Sequence, residues 1–313
     1  MPQTVGDLGE FGLVRAVTER LASQVDVLLG PGDDAAVLAA PDGRVVVSTD
    51  VLVEGRHFRR DWCSATDVGH RAAAANLADI AAMGAVPTGL LVGLSVPLGL
   101  EASWALELAD GLREECDRVG VSVVGGDLTA GEAVVVSVTA LGSLAGRPPV
   151  TRSGARTGDV VAVAGRLGWA AAGLAVLSRG FRSPRVLVEA YRRPEVPYAL
   201  GPEAAVLGAH AMIDVSDGLV GDLRHVATAS GVRIEIHPAS LVVPEEFDAP
   251  ARAIGVDPMQ WVLSGGDDHA LAACFGPEVV LPEEWHAVGH VVAGEGVVVG
   301  AEPYEEGGFD HFR

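Results

Sequence analysis

Apolar positions along the chain follow two different periods, and the two kinds of segment alternate. Three segments have a helical period: one over about 9–22, an alanine-rich one over about 66–83, and one over about 102–119. Gly84 follows the second of these segments and predicts a C-cap, because glycine adopts the left-handed conformation at little cost. The first segment rests on apolar residues three or four positions apart, namely Phe11, Val14, Val17 and Leu21.

Short runs of valine, isoleucine and leucine lie between these segments and predict strands. RVVVSTD predicts a strand that ends at Asp50, and VLVEGRHFRRDW after it predicts a loop. GGDLTAG predicts a turn between two strands, and MIDVSDGL predicts a strand, a turn and a helix start. SGGDDHALAACF predicts a turn that opens onto a strand.

Helices and strands alternate in both halves, which predicts an α/β fold, or an α+β fold with mixed sheets, in two domains. The segment AGRPPVTRSGARTGD is the best candidate for a linker because it combines prolines, glycines and arginines between two apolar strands. We therefore expect the domains to comprise residues 1–148 and 149–313.

Charge and composition narrow the possible functions. The 313 residues carry a net charge of −20, so we expect the protein to bind neither nucleic acid nor an anionic membrane. All 22 basic residues are arginine, which excludes a P-loop lysine, the strand lysine of protein kinases and Schiff-base chemistry. No secretory signal or membrane-spanning run is visible. The three cysteines form no CxxC pair, so we expect a reducing, cytoplasmic location.

Short acidic motifs stand beside glycine, or where an apolar strand is predicted to end. Magnesium prefers such hard oxygen ligands, and glycine lets a polyphosphate approach the backbone closely. Each motif on its own is equally well explained as an ordinary turn. The motifs supply Asp33, Asp34, Ser48, Thr49, Asp50, Asp127, Asp214, Ser216, Asp217, Asp267 and Asp268.

Asp79 lies near the C-terminal end of the alanine-rich helix, where a carboxylate meets the unfavourable end of the helix dipole. Asn76 shares its face three residues earlier. A bound cation explains this placement better than the alternative, an aspartate that faces solvent. Ser216 and Asp217 fit a helix N-cap, which is also a place where free N–H groups meet phosphate. Arg152 is either a phosphate clamp or a solvated linker arginine.

The order and wording of these motifs resemble the thiamine-monophosphate kinase family along nearly the whole chain. The matching segments are GEFGLV, GDDAAVL, STDVLVEGRHF, NLADIAAMGA, GGDLTAG, TRSGARTGD, MIDVSDGL, SGGDDHAL and GGFDHF. This family belongs to the aminoimidazole ribonucleotide synthetase-like superfamily. Family members usually have SGGEDYEL where this chain has SGGDDHAL, so Asp267 replaces a glutamate and His269 a tyrosine. Ala109 stands where an aromatic residue is expected.

The resemblance implies two α/β domains and a homodimer that pairs through the N-terminal domains, with the nucleotide near that interface. It also implies several Mg²⁺ ions, held by Asp34, Ser48, Thr49, Asp50, Asp79, Asp127, Asp214 and Asp217. The implied ATP contacts are Gly126, Asp127, Arg152 and Ser216. The implied contacts to thiamine phosphate are His57, Asp267 and Phe309.

The implied activity is the ATP-dependent phosphorylation of thiamine monophosphate to thiamine diphosphate by direct, magnesium-assisted transfer. No general base is expected, since the acceptor phosphate is already anionic near neutral pH. Two alternatives remain open: another ATP-using enzyme of the superfamily, and a non-catalytic protein that binds Mg-nucleotide. The second would bind Mg-ATP without forming ADP.

Overall fold

A computed structural model describes residues 4–21, 27–29, 37–300 and 302–304 of the chain. The chain forms two compact units. The first unit comprises Met1–Ile80 and Ala85–Gly146, and the second comprises Ala81–Gly84 and Arg147–Arg313. Among the described residues, no helix combines the length and the hydropathy that a membrane span requires.

The first unit contains helices and strands in mixed order. Its elements are α1 (Val5–Thr18), β1 (Val27–Leu29), β2 (Val37–Leu38), β3 (Val46–Val53), α2 (Ala65–Ala82), β4 (Val86–Val96), α3 (Ala102–Val119), β5 (Val123–Ala130) and β6 (Val135–Ser143).

In the described part of this unit, four strands form a sheet in the order β3-β6-β4-β5. β4 and β5 run parallel, and the other pairs are antiparallel. One face of the sheet is buried, as the alternation along β6 shows: Val136, Val138 and Ala140 are inaccessible, whereas their neighbours are half-exposed. Gly142 lies on the buried face, where an added Cβ would approach the Ile80 side chain of α2 to 2.4 Å. The sheet therefore has a face covered by α2 and a more open face.

Helices α2 and α3 pack closely because a glycine lies at the contact. A Cβ on Gly111 of α3 would be 2.1 Å from the backbone oxygen of Thr66 in α2. Along the same contact, His70 Nδ1 lies 2.7 Å from Glu115 Oε2. These contacts fix α2, which carries Asn76 and Asp79, within the first unit.

The second unit is built on a larger mixed sheet. Its elements are β7 (Val160–Ala164), α4 (Trp169–Ser178), α5 (Arg185–Arg192), α6 (Leu200–Leu207), β8 (Ala211–Val215), α7 (Leu219–Ser230), β9 (Arg233–Ile236), α8 (Asp248–Ile254), α9 (Pro258–Ser264), β10 (Ala270–Phe275), β11 (Trp285–Val292), β12 (Gly296–Val299) and β13 (Glu302–Pro303). Two short 3₁₀ helices, Pro238–Ser240 and Glu245–Phe247, lie between β9 and α8.

Seven strands of the described chain form this sheet, in the order β13-β12-β9-β11-β7-β10-β8. Only the β12–β9 pair of these strands is parallel. Met212, Phe275 and Trp285 belong to its buried core. β8 is an edge strand, and its last residues lead into the VSDG turn at the start of α7.

The structure confirms the mixed α/β class and most of the predicted elements, and it corrects three boundaries. The strand expected to end at Asp50 continues to Val53, so the first three residues of the expected loop belong to the strand. GGDLTA is not a turn but the body of β5. α1 begins at Val5 because Thr4 and Asp7 cap it reciprocally, with Thr4 N–H donating to Asp7 Oδ2 at 2.9 Å and Asp7 N–H donating to Thr4 Oγ1 at 3.2 Å.

Candidate active site

Helix α2 is hydrogen-bonded to strand β3 on the covered face of the first sheet. The Ser48 hydroxyl lies 2.5 Å from Asp79 Oδ2, and the backbone N–H of Asp50 donates to Asn76 Oδ1 at 3.0 Å. Asp79 is half-buried, so the alternative of a solvent-facing aspartate is wrong. The structure thus brings Ser48, Asp50 and Asp79 into one small region.

Thr49 lies between two of these residues but faces the other way, since side chains alternate along a strand. Its hydroxyl donates to Val138 O at 2.9 Å and accepts a hydrogen bond from the Thr139 hydroxyl at 3.1 Å. Its side chain is therefore on the open face. The three consecutive candidates at 48–50 do not direct their side chains to a single point.

Asp127 lies apart from this region. β5 and β3 are opposite edges of the four-stranded sheet. Asp127 pairs with Gly93, which pairs with Ser137, which pairs with Val51. Directly paired residues present their side chains on the same face, so Asp127 shares the open face with Val51, opposite to Asp50.

Gly126 is required by the packing of the sheet itself. A Cβ at this position would lie 1.9 Å from the carbonyl oxygen of Val92 on β4. The glycine of GGD therefore has a structural reason independent of any phosphate. Its exposed backbone on an edge strand is still open to a ligand.

His57 lies in a tight turn immediately after β3. Val53 N–H donates to His57 Nδ1 at 2.9 Å, so the ring proton of the neutral tautomer is on Nε2. Gly55 has a φ of +81°, and its N–H donates to Phe58 O at 2.8 Å. Phe58 is buried, which anchors the turn that holds the His57 ring.

In the second unit, the VSDG turn between β8 and α7 gathers acidic side chains. Asp214 is buried in β8, and Ser216 and Asp217 follow it, half-buried. Asp222, in the first turn of α7, accepts a hydrogen bond from Asp217 N–H at 3.0 Å. Asp222 has no distinguishing signal in the sequence, because an acidic residue in the first turn of a helix is ordinary.

The loop before β10 runs alongside this turn. Asp267 N–H donates to Ser216 O at 2.8 Å, and His269 N–H donates to Val215 O at 3.0 Å. Both residues are in the left-handed region, with φ of +65° for Asp267 and +53° for His269. Such strain in non-glycine residues is held by the surrounding bonds and is typical of functional sites.

His269, which replaces the family's usual tyrosine, reaches the turn directly. Its Nδ1 lies 3.2 Å from Asp214 Oδ2, and both side chains are buried. Asp268 points the other way, and its Oδ1 accepts a hydrogen bond from Ala170 N–H at 2.8 Å near the start of α4. Asp268 anchors the loop, while the His269 side chain faces the turn.

Arg152 is held in place by Ser230 at the end of α7. The Ser230 hydroxyl donates to Arg152 O at 3.0 Å and accepts from the N–H groups of Gly154 and Ala155 at 3.1 and 3.2 Å. The Arg152 side chain is exposed. TRSG is therefore an ordered part of the second unit, and the chain passes from the first unit to the second between Gly146 and Arg147, inside the segment whose composition suggested a linker.

Two buried carboxyls in this unit have altered acidity. Burial raises the pKa of Asp222 to about 7; the charges of Asp214 and Asp217 act in the same direction, and that of Arg152 opposes them. Burial also raises the pKa of Asp268 to about 7, opposed by the N–H groups of Ala170 and Gly168. Among the described residues, Asp268 Oδ2 has no hydrogen-bond partner.

The side chains fit magnesium by chemistry, although the described residues contain no cluster of three or more His, Cys, Asp or Glu able to hold a metal. Magnesium takes one or two carboxylates and completes its shell with water and substrate phosphates. Asp50 and Asp79 with the Ser48 hydroxyl, and Asp214 with Asp217, are sets of this kind. Asp34 and Phe309 lie outside the described residues, so the structure gives no position for them.

One cavity of about 510 Å³ lies in the first unit, near the starts of α2 and α3. Its lining includes Arg60, Cys63 and Trp104. None of the site residues expected from the sequence lines it.

Two protein-family models match the chain. The AIR synthase related protein N-terminal domain matches residues 32–144, and the AIR synthase related protein C-terminal domain matches residues 156–302. Hydrogenase maturation protein HypE in complex with ATP, 18% identical with a TM-score of 0.69, shares the fold.

Closer likenesses extend over nearly the whole chain. The thiamine-monophosphate kinase of Mycobacterium tuberculosis is 50% identical over 93% of this chain and 87% of its own. A solved structure of AaThiL complexed with AMPPCP and TMP is 32% identical, covers 98% of both chains and has a TM-score of 0.81. The thiamine-monophosphate kinase of Stenotrophomonas maltophilia K279a has the same identity and TM-score, over 93% of this chain and 96% of its own. The chain therefore belongs to the thiamine-monophosphate kinase family.

Proposed function

We propose that the protein transfers the γ-phosphoryl group of ATP to thiamine monophosphate, giving thiamine diphosphate and ADP. The observation that carries this proposal is the likeness over 98% of both chains to a structure that holds AMPPCP, an analogue of ATP, together with TMP. The acidic turns and strands described above supply carboxylates of the right chemistry to hold magnesium, which in turn binds the phosphates of the two substrates.

The reaction is a direct in-line displacement. A terminal phosphate oxygen of thiamine monophosphate attacks the γ-phosphorus, the bond from that phosphorus to the β,γ-bridging oxygen breaks, and ADP leaves with the electron pair. The acceptor has a second pKa of about 6, so it is anionic without a base. Catalysis then consists of positioning and charge stabilisation.

Magnesium ions, when bound, neutralise phosphate charge and lower the repulsion between the two anionic substrates. The residues proposed to hold them are Asp34, Ser48, Thr49, Asp50, Asp79, Asp127, Asp214 and Asp217. The fit of hard oxygen donors in both units supports this assignment.

The nucleotide is proposed to contact Gly126, Asp127, Arg152 and Ser216. Arg152 projects from an ordered turn and offers a planar cationic fork for phosphate oxygens. Ser216 lies in the turn that begins α7, beside N–H groups that favour an anion. We propose that the adenine stacks elsewhere than on position 109, since Ala109 is buried in α3.

Thiamine phosphate is proposed to contact His57, Asp267 and Phe309. The thiazolium ring of thiamine is cationic, and the half-buried Asp267 carboxylate offers it a counter-charge. The strained backbone at Asp267 is held by its bond to Ser216 O, which supports a fixed side-chain direction. His57 is held by its turn with a proton on Nε2, a donor suited to phosphate.

We further propose a homodimer that pairs through the N-terminal domain, residues 1–148, with residues 149–313 completing the ATP and substrate sites. The open face of the first sheet exposes apolar side chains, with Val47, Val51 and Leu91 accessible to 58%, 45% and 37%. A sheet face that exposes several apolar side chains suits a self-complementary interface. Within one chain Asp127 and Asp50 lie at opposite edges of this sheet, so we propose that Asp127 of the partner subunit, rather than that of the same chain, completes a site that includes Asp50.

A cytoplasmic location is proposed because Cys63, Cys116 and Cys274 are buried and none is in a disulfide. Burial raises the pKa of the Cys116 and Cys274 thiols to about 12, so both resist oxidation.

The direct test is to incubate the purified protein with Mg-ATP and thiamine monophosphate and to separate the products by chromatography. We expect thiamine diphosphate and ADP in equal amounts, no product after chelation, and no diphosphate from unphosphorylated thiamine. ATP binding without diphosphate would instead support a non-catalytic nucleotide-binding protein.

A further inference from the structure

The chain contains a single asparagine, Asn76, and that residue is buried in the alanine-rich helix α2. Its accessibility is 1%. An amide in such a place is unfavourable unless its polar atoms are bonded, because burial removes their water. Its bonds therefore indicate what the residue does.

Both ends of the Asn76 amide are bonded to backbone. Its Oδ1 accepts from Asp50 N–H at 3.0 Å, and its Nδ2 donates to Ala72 O, one helical turn earlier, at 2.9 Å. An N–H can only donate and a carbonyl can only accept, so the two partners fix the orientation of the amide. The side chain thus links α2 to β3 with one defined geometry.

The bond to Asp50 satisfies a group that the sheet leaves open. β3 is an edge of the described four-stranded sheet, so alternate N–H groups of β3 point away from β6. Asn76 Oδ1 accepts a hydrogen bond from one of these groups, the N–H of Asp50. One turn later along α2, Asp79 bonds to the Ser48 hydroxyl. Helix and strand are therefore linked at two successive points, both of which involve proposed magnesium ligands.

We propose that Asn76 is a positioning residue, which holds the backbone of Asp50 at a fixed distance from Asp79 so that the two carboxylates bind one metal–nucleotide complex. This inference rests on the proposed function. Asn76 acts through the backbone of Asp50, since both ends of its amide are bonded to backbone. Its removal should loosen the metal site more than it loosens the fold.

A purely structural role predicts something different, namely a loss of stability with metal binding unchanged once the protein is folded. Asp67 offers a matched control on the same helix. Asp67 Oδ2 accepts from Ser64 N–H at 3.0 Å and thereby caps α2, nine residues, or roughly 13 Å, before Asn76. Asp67→Ala weakens α2 at its N-terminal end, away from the bond between Asn76 and Asp50.

The experiment compares wild type, Asn76→Ala, Asn76→Asp and Asp67→Ala. Mn²⁺ is titrated in the presence of AMPPCP, so that nothing turns over, and free Mn²⁺ is followed by electron paramagnetic resonance. Thermal unfolding is recorded for each variant. Hydrogen exchange of the 46–53 segment is measured without metal.

We expect Asn76→Ala to weaken Mn²⁺ binding at least about tenfold and to speed exchange at Asp50. Asn76→Asp keeps an acceptor for Asp50 N–H and should bind Mn²⁺ within about threefold of wild type, or more tightly. Asp67→Ala should lower the melting temperature as much as Asn76→Ala, with Mn²⁺ binding unchanged.

Unchanged Mn²⁺ binding in Asn76→Ala, or an equal loss in Asn76→Asp and Asp67→Ala, would overturn the positioning role. If one of these results is found while the wild-type protein binds Mn²⁺ and forms thiamine diphosphate, only the inference about Asn76 fails. A wild-type protein that binds no Mn²⁺ with AMPPCP and forms no diphosphate would refute the proposed function itself.

Discussion

The two units hold their acidic residues in different ways. In the first unit, Asp50 and Asp127 lie within strands, at opposite edges and on opposite faces of one sheet. In the second unit, Asp214 and Asp217 lie at a strand end and a turn, and a neighbouring loop is bonded to that turn through Asp267 N–H. A turn gathers successive side chains, whereas a strand separates them. The carboxylates of the VSDG turn are therefore gathered within one chain, whereas Asp50 and Asp127 of one chain stay apart.

The largest effect is expected at Asp50. Replacing it by asparagine keeps the shape but removes the charge, and turnover should fall by about a thousandfold or more if the carboxylate holds a metal. Asp117→Asn, which neutralises an exposed carboxylate of α3 paired with Arg113, is the matched control and should retain turnover within a few-fold. Steady-state rates measured at saturating Mg-ATP decide between them. Near-normal turnover in Asp50→Asn would remove the metal role from the first unit.

In the second unit, Asp267→Ala should act on substrate binding more than on the chemical step. Loss of the counter-charge should raise KM for thiamine monophosphate by about ten- to a hundredfold, with KM for ATP within about threefold. Separate KM determinations for the two substrates check this. An equal rise in both values would show that Asp267 does not distinguish the two substrates.

Substitutions of His269 test whether the stability of the second unit depends on the buried contact between His269 and Asp214. His269→Phe fills a similar volume but leaves the buried Asp214 carboxylate without its imidazole partner. We expect the free energy of unfolding to fall by about 1–3 kcal/mol, as measured by urea denaturation. His269→Tyr, the residue usual in the family, should retain more of this stability because its hydroxyl can donate to a carboxylate. Equal stability of all three proteins would contradict the importance of the contact.

Asp268 should have the smallest effect on turnover, and a clear effect on the pH dependence of stability. Burial raises its folded pKa from 3.8 to about 7, so between about pH 4 and 7 the folded state keeps a proton that the unfolded state releases. Stability contributed by this group therefore falls as pH rises through that window. Asp268→Asn removes the titration, so its stability should decline less from pH 4 to 7. The free energy of unfolding of both proteins is measured by urea denaturation across this pH range. An equal decline in the two proteins would contradict the raised pKa of Asp268.

The sequence predicted the fold class correctly, and it predicted the acidic turns of the second unit better than the acidic strands of the first unit. MIDVSDGL and SGGDDHAL contain their own turn signals, so their acidic residues could be placed correctly from the chain alone. The motifs around Asp50 and Asp127 were predicted to lie at strand ends, but both lie within strands. In the sequence, a polar residue inside an edge strand cannot be distinguished from the end of a strand, because each interrupts a run of apolar residues.

Other features depended on contacts distant in sequence, which no local pattern reveals. The helix position of Asp79 suggested a special environment, and its bond to Ser48 across 31 residues now explains it. The bond from Asp222 back to Asp217 N–H had no local signal. The exposed face of the first sheet was not visible either, since valines in a strand are expected whether a face is buried or open.

We propose that Asp127 of a second copy of the chain completes the site that includes Asp50, and mixing two inactive variants tests this proposal most directly. Asp50→Asn and Asp127→Asn proteins are unfolded together, refolded and assayed for thiamine diphosphate. If Asp127 of the partner subunit serves the Asp50 site, each mixed dimer has one intact site. About a quarter of wild-type turnover should then return, since half of the dimers are mixed. If both residues serve the same chain's site, no mixture is intact, and the absence of any recovery in a mixture shown to contain mixed dimers would contradict the account.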